Sequence, residues 1–482
     1  MALLLFSLSS LKDSLRRLFT RHSSLVTAFL RYPTDIYLCL FLFGGLCLSF
    51  AGHGSFVDEN LVIQTVKSMA ERGEFSVMNM FQSLPGPDGQ YYSRYGIGFP
   101  LLLLPFYYLG DLLNHCFPGA NVFMGNTHFF ALLWANIFIA TLAGWGMFRL
   151  CLQMGADKCV SVFLSIGLIF ATPFWPYAKT LFRLTASGAV LIFVFWITEI
   201  LRKSPSRRAW IALVFFCALG INLREDLTIA LTAIGLYSMR QRVGRWQRFG
   251  SFTAGAIAGM AIWGWHNYIR FGSFFIENYE DLSFHYPLIL SLPELVFGLR
   301  RGLIAYAPLC LLLPFSFFAS RRKKKMDAWL LCVFILCVYF LLYGKSSMWH
   351  GGTCWGPRHM YFLLPFALLP GIWLLGEGRR GWSLFAAAAL LWGIVMNWPG
   401  VYAHQGFCQS FFNRPPFWEY FFKPIVHPIY ITFEELDLWW IRMIKLNGTP
   451  WLAAFLIIMG LTLFWGWRLW RSVNVESNEH PS

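Results

Sequence analysis

The chain has 482 residues, of which 57% are hydrophobic, 19% aromatic and only 13% charged. An ordinary soluble domain carries about 25% charged residues, so this composition excludes a soluble globular protein. The formal net charge of +15 comes from basic residues in short loops between apolar segments, which indicates membrane topology and argues against nucleic-acid binding.

Thirteen apolar segments follow one another along the chain. Each is expected to be a helix, because a backbone in lipid must satisfy its own hydrogen bonds. The predicted fold is therefore all-α, a polytopic transmembrane helical bundle of about 12 to 13 spans. The segments are 36–52, 97–113, 127–148, 159–175, 185–201, 209–223, 227–239, 249–268, 302–319, 326–343, 359–376, 382–398 and 451–470.

Basic clusters predict which loops face the cytoplasm, where Lys and Arg accumulate. They place the basic, amphipathic N-terminal arm (1–35) and the C-terminal tail, with Arg468 and Arg471, inside. Thirteen complete crossings would leave the C-terminus outside, so one segment should fail to span. Segment 97–113 is favoured because it is short and glycine- and proline-rich, with 209–223 and 227–239 as alternatives.

The first long outer loop places two adjacent carboxylates, Asp58 and Glu59, just beyond the first span. The stretch after them has an apolar helical face with Val62, Val66 and Met69, which predicts a helix lying on the membrane surface. Asp58 would then either cap this helix or act in chemistry. Carboxylates near the interface need water, a partner or a metal, so the pair is a candidate general base or a ligand set for Mg²⁺ or Mn²⁺.

Several cations lie in the other predicted outer loops. Arginine suits bidentate phosphate recognition, so a group of such cations at one depth would match a lipid-linked phosphate. Taken singly, each is equally a paired or snorkelling residue, and Arg224 has Glu225 and Asp226 beside it. The candidate substrate-binding residues are Arg94, Arg183, Arg224, Arg301, Lys345, His350 and Arg358. Cys354 and Cys408 also lie in outer loops, where a disulfide between them is one alternative.

Four stretches carry a resemblance to a known group. Asp58-Glu59 follows the first span, YSRYGIGFPLLLLPFYYLG (92–110) leads into the second segment, and LRRGLIAYAPLCLLLP (299–314) and WHGGTCWGPRHMYFLLP (349–365) come later. In this order they resemble the GT-C superfamily of membrane glycosyltransferases, near the protein O-mannosyltransferases and the aminoarabinose transferases that modify lipid A. The resemblance covers about 36–400.

The resemblance implies sugar transfer from a polyprenyl-phosphate donor on the non-cytoplasmic face. Asp58 is then the catalytic base, Glu59 its neighbour or a metal ligand, and Arg358 a contact of the donor phosphate. It also implies four parts: the arm 1–35, a catalytic module 36–400, an outer loop region 401–450 and a final span with its tail 451–482. A bacterial inner membrane is the expected location.

The chain departs from the mannosyltransferases at one motif, since YGIGFP stands where they have HPP. The acceptor therefore stays open as a lipid, a glycan or a protein. A lipid-linked-sugar flippase or another polytopic transporter is the alternative from a different class, although no paired halves with broken helices are visible in the sequence. An O-antigen type polymerase or ligase is a further alternative, but it has no need of the carboxylate pair.

Overall fold

A computed structural model describes residues 33–51, 57–118, 127–275, 283–299, 301–352, 354–402, 438–447 and 449–479. Most of the predicted N-terminal arm, Cys408 and most of the outer loop region 401–450 lie outside these ranges. The helices are α1 (Pro33–Leu48), α2 (Val57–Glu71), α3 (Gly98–Cys116), α4 (Thr127–Gln153), α5 (Lys158–Phe170), α6 (Phe174–Ala178), α7 (Leu184–Lys203), α8 (Arg207–Leu223), α9 (Leu227–Met239), α10 (Arg245–Phe271), α11 (Leu288–Phe297), α12 (Leu303–Tyr306), α13 (Leu312–Arg322), α14 (Met326–Lys345), α15 (Leu364–Leu368), α16 (Gly371–Leu375), α17 (Arg380–Tyr402), α18 (Trp439–Asn447) and α19 (Thr449–Glu479).

The predicted helical bundle is confirmed, and each of the predicted apolar segments contains helix. Three segments are interrupted, and the first of them, 159–175, divides into α5 and the start of α6. Segment 302–319 divides into α12, a 3-10 turn at Pro308–Leu311 and α13, and segment 359–376 divides into a 3-10 turn at Tyr361–Leu363, α15 and α16. Prolines lie at these interruptions, where they lack the N–H that a continuous helix needs.

A small antiparallel sheet in the first long loop was not predicted. Its strands are β1 (Ser76–Val77), β2 (Ser83–Pro85) and β3 (Tyr91–Ser93), in the order β1-β3-β2. Strands of two or three residues are too short to show the alternation by which a strand is recognised in sequence.

The membrane-spanning character is visible in helix length and on the protein surface. Five helices are long and apolar enough to cross a membrane, within Phe130–Gln153, Leu184–Lys203, Met326–Lys345, Arg380–Val401 and Pro450–Asn474, and five shorter ones are also apolar. Large apolar side chains point outward on several of them, including Leu384 (72% exposed) and Leu463 (66% exposed). An exposed apolar surface of this kind requires lipid around it.

Polar side chains gather at two opposite ends of the bundle. At one end, which we call the basic end, Arg149 pairs with Asp35 at 3.4 Å, Arg202 with Glu199 at 2.7 Å, and Arg240 with Asp327 at 2.5 Å. The other end, the loop end, carries α2, the sheet and the loops after α5, α8 and α14. These three pairs and the pairs Arg224–Asp226 and Arg358–Asp58 each join residues that the Lys and Arg distribution assigns to the same side.

Helix α3 does not pass from one end to the other. A Cβ added to Gly98 would lie 2.6 Å from the carbonyl carbon of Asn222, at the loop end of α8, and a Cβ on Gly110 would lie 2.6 Å from Cα of His128, at the start of α4. Both contacts are at the loop end. Segment 97–113 therefore stays at the loop end, and its failure to cross the membrane remains a prediction. The other twelve apolar segments are the predicted passages.

The first and last of these passages meet at the basic end. Thr34 at the start of α1 donates to Ser472 near the end of α19 at 3.2 Å, and Arg468 bonds Tyr37. The two outermost passages therefore leave their termini at the same end, which an even number of crossings requires. That this end faces the cytoplasm stays a prediction from the charge distribution.

We predict that an impermeant maleimide will report this arrangement in intact cells. In a chain whose other cysteines are replaced by serine or alanine, the exposed native Cys116 at the end of α3 should label from the same face as Lys67→Cys on α2. Arg321→Cys at the basic end should label only after permeabilisation. Labelling of Cys116 together with Arg321→Cys would mean that α3 crosses the membrane.

Candidate functional site

Helix α2 begins where the sequence predicts, with Asp58 and Glu59 in its first turn. Its apolar face is buried against the protein, with Leu61 and Val66 both 0% exposed. At its other end Tyr107 of α3 donates to Glu71 at 2.6 Å. The position of the two carboxylates is therefore fixed at both ends of the helix that carries them.

Glu59 is turned into the protein. It is 1% exposed, and its Oε1 accepts a hydrogen bond at 2.7 Å from the backbone N–H of Leu181. A buried carboxylate of this kind needs such partners to offset its lost hydration. Glu59 thus ties α2 to the loop between α6 and α7, which also carries Phe182 and Arg183.

Asp58 faces a different partner, Arg358, which lies in the loop after α14. The Nη2 of Arg358 donates to the Oδ2 of Asp58, and the side chains are 22% and 14% exposed, respectively. The sequence predicted both residues as site residues, and the structure joins them across 300 positions of chain.

The guanidinium of Arg358 is held on two further sides. Its Nη1 donates to the Sγ of Cys354 at 3.3 Å, and its Cζ lies 4.4 Å from the centre of the Phe182 ring. Burial by itself lowers the pKa of Arg358, but Cys354 and Asp58 more than offset this and hold the pKa above its usual value. Arg358 is therefore a fixed cation in the loop-end cluster.

Arg183 follows Phe182, the residue whose ring lies against Arg358. Its Nη1 donates to the carbonyl of Leu223 at 3.2 Å, and its Cζ lies 4.5 Å from the centre of the Tyr95 ring. Tyr95 follows Arg94 in the turn after β3, and Arg94 is half-buried there. A guanidinium stacked on an aromatic face keeps its in-plane N–H groups directed along its edge.

Arg224 forms an ion pair with Asp226. The sequence had left Glu225 and Asp226 as alternative partners. The Nε and Nη2 of Arg224 donate to the two carboxylate oxygens of Asp226 at 2.9 and 2.8 Å, and Nη2 also bonds Tyr343. Burial raises the pKa of Asp226, but the Arg224 guanidinium more than offsets this and lowers it. The charge of Arg224 is thus largely balanced inside the protein.

Arg301 forms hydrogen bonds with the backbone of the loop that carries Arg358. Its Nη1 donates to the carbonyls of Cys354 at 2.8 Å and Gly356 at 3.4 Å, and its Nη2 donates to Gly352. The residue is only 6% exposed. In this arrangement Arg301 shapes the loop 351–358 and so sets the position of Arg358.

The last two predicted residues lie at the edge of this loop. His350 accepts a hydrogen bond at its Nδ1 from the N–H of Gly352 at 3.1 Å, and burial together with Arg301 lowers its pKa, which favours the neutral imidazole at pH 7. Lys345 is exposed at the end of α14, where its carbonyl accepts from the N–H of Tyr286 at 3.0 Å.

Four residues that build the site were not predicted for the roles that they have. Phe182 and Tyr95 provide the ring faces, Cys354 holds one edge of Arg358, and Arg270 holds the first loop. Arg270 is 1% exposed and donates from Nη1 to the carbonyls of Tyr95 at 3.2 Å and of Ser93. The signal available for Arg270 was a charge at the end of an apolar segment, a position that a snorkelling residue shares.

A metal role for Asp58 and Glu59 stays a prediction. The two carboxylates contact different parts of the chain, as neighbours about 100° apart on a helix do. Among the described residues, no group of three or more His, Cys, Asp or Glu side chains is placed to hold a metal ion. The alternative of a Cys354–Cys408 disulfide lies outside the described residues, because Cys408 does.

Comparison with known proteins finds similarity at the level of structure. No protein-family model matches the chain, and no curated protein matches it. The structure is similar to the crystal structure of ArnT from Cupriavidus metallidurans bound to undecaprenyl phosphate, with 14% identity, a TM-score of 0.49, and coverage of 93% of this chain and 78% of that chain. ArnT is an aminoarabinose transferase of the GT-C type, the group that the sequence motifs resemble. At that identity and TM-score the likeness assigns no activity, ligand or residue role to this chain.

We predict that Arg301→Met destabilises the protein by about 2–4 kcal/mol, because it leaves buried carbonyls of the 352–356 loop without their donor. The measurement is the shift in thermal unfolding midpoint of the purified protein in detergent. Lys345→Met, which removes an exposed cation from the same end, should shift the midpoint little. Equal midpoints for both variants would show that Arg301 does not hold the loop.

Proposed function

We propose that the chain is a membrane glycosyltransferase that moves a sugar from a polyprenyl-phosphate donor to an acceptor hydroxyl at the loop end of the bundle. The observation that carries this proposal is the contact between Asp58 and Arg358, a partly exposed carboxylate and a partly exposed guanidinium held side by side. Sugar transfer from a lipid phosphate needs one group of each kind.

Asp58 is the proposed general base. In the reaction the acceptor oxygen forms a bond to the anomeric carbon of the sugar, the bond from that carbon to the phosphate oxygen breaks, and the acceptor proton passes to Asp58. Glu59 does not face the reacting groups, because its carboxylate is buried on the N–H of Leu181. Its proposed role is to hold the first turn of α2 so that Asp58 keeps its position.

Arg358 and Arg183 are the proposed ligands of the lipid phosphate. The leaving phosphate gains negative charge as the glycosidic bond breaks, and cations fixed near it stabilise that charge in the transition state. Both guanidiniums are fixed by stacking on rings, at 4.4 Å for Arg358 and 4.5 Å for Arg183. Arg224 and Arg301 support the site through Asp226 and the 352–356 loop, and no direct contact with the donor is needed from them.

The proposed setting is a bacterial inner membrane with the loop end on the non-cytoplasmic side. The charge distribution supports this orientation, because Lys and Arg concentrate at the basic end. The prenyl chain of the donor would then lie against the apolar surface of the spans. The proposal leaves the acceptor class, whether lipid, glycan or protein, to experiment.

We predict that Asp58→Asn lowers sugar transfer by about 10²–10⁴, the usual contribution of a general base, without loss of folded protein. The assay incubates purified protein with a panel of radiolabelled polyprenyl-phosphate sugars and a membrane extract as the source of acceptor. Asp88→Asn, an exposed carboxylate in the turn before β3, is the matched control and should keep full activity. A fully active Asp58→Asn enzyme would remove Asp58 from the mechanism.

We also predict that Arg358→Lys lowers kcat/KM for the donor by about 10- to 100-fold, although the charge is kept. Lysine cannot lie flat on Phe182 while donating to two partners on one edge. Arg72→Lys in the turn after α2, where the exposed Arg72 pairs with Glu74, is the control. Unchanged donor kinetics in Arg358→Lys would show that a point charge suffices there.

A further inference from the structure

The contact that joins the two proposed functional groups also occupies them. Asp58 must accept a proton from the acceptor hydroxyl, yet its Oδ2 accepts from Arg358. Arg358 must bind the donor phosphate, yet its Nη2 donates to Asp58. Each group therefore occupies an atom of the other that a substrate could use, and opening the contact frees both atoms.

The geometry decides which side of Arg358 opens. The Cys354 thiol on Nη1 is 2% exposed and sits in the loop that Arg301 fixes, and the Phe182 ring covers one face. Asp58 lies on the accessible side, with 14% of its side chain exposed. A phosphate that approaches Arg358 therefore meets the Asp58 edge, where it offers the guanidinium another anion.

Release of Asp58 needs no movement of α2. Glu59, the next residue, remains bonded to the N–H of Leu181, and the apolar face of the helix remains buried. A rotation of the Asp58 side chain between staggered positions is enough to part the carboxylate from Arg358. Asp58 therefore stays near the phosphate after the phosphate has replaced it on Arg358.

We propose that the phosphate of the donor replaces Asp58 on Arg358, so that the donor binds before the acceptor and frees the base in doing so. This inference rests on the proposed function. While it is paired, Oδ2 of the carboxylate is occupied by an N–H of the Arg358 guanidinium. The carboxylate leaves the guanidinium only when a lipid phosphate takes its place there. The ion pair thus sets the order in which the donor and the acceptor bind.

The experiment measures binding of a radiolabelled polyprenyl phosphate that carries no sugar to the full-length protein in detergent micelles. Asp58→Asn removes the competing anion, so it should bind the lipid about tenfold more tightly than the wild type while transfer is lost. Arg358→Gln should bind it about tenfold or more weakly. Asp88→Asn is the control and should bind as the wild type does.

The outcomes separate this inference from the function on which it rests. Tighter binding by Asp58→Asn with weaker binding by Arg358→Gln supports the exchange. Equal or weaker binding by Asp58→Asn, with weak binding by Arg358→Gln, overturns the exchange and leaves Arg358 as a phosphate ligand. Wild-type affinity in Arg358→Gln, or no binding by any form, removes the phosphate site itself and the exchange with it.

Discussion

A guanidinium taken out of water must find acceptors for its N–H groups and a partner for its charge, and the loop end of this bundle is organised around that requirement. Arg270 closes the first loop onto α10 through the carbonyls of Ser93 and Tyr95. Arg301 draws the carbonyls of the 352–356 loop together. With both loops held by buried arginines, the two side chains that remain partly open, Asp58 and Arg358, meet in a defined geometry.

The same requirement explains why the seven predicted substrate-binding residues do not have equal roles. Arg224 has its charge balanced by a bidentate carboxylate, and Arg301 is surrounded by backbone carbonyls. Arg183 and Arg358 contact ring faces, which contribute only about 0.5–2 kcal/mol each, and Arg358 is more exposed than Arg224, with 22% against 10% of the side chain. A phosphate can therefore reach Arg358 more readily than it can reach Arg224.

A feature of this structure could be predicted from the sequence when the residues that form it are close together along the chain. The helices follow from local composition, and the structure confirms them; it also places both ends of segment 97–113 at the loop end, as expected of a segment that does not cross the membrane. Asp58 and Arg358 were predicted through motifs, but their contact is between residues 300 positions apart. The roles of Phe182 and Cys354 depend on which loops meet, and no local pattern reveals that. Arg301 was predicted as a substrate contact because a buried loop arginine and a phosphate ligand look alike in sequence.

The adjacent carboxylates Asp58 and Glu59 lie in one helical turn but have different roles, Glu59 a structural role and Asp58 a chemical one. Successive residues on a helix point about 100° apart, so when Glu59 turns inward to the N–H of Leu181, Asp58 must turn toward Arg358 and the accessible side. A buried pair whose charges never separate adds little to stability, because desolvation offsets most of the attraction. A partly exposed pair costs less to open, and a new anion can replace one partner. The exposure of Asp58 and Arg358, together with the burial of Glu59, therefore places the exchangeable contact where a substrate can reach it and the fixed contact where it cannot.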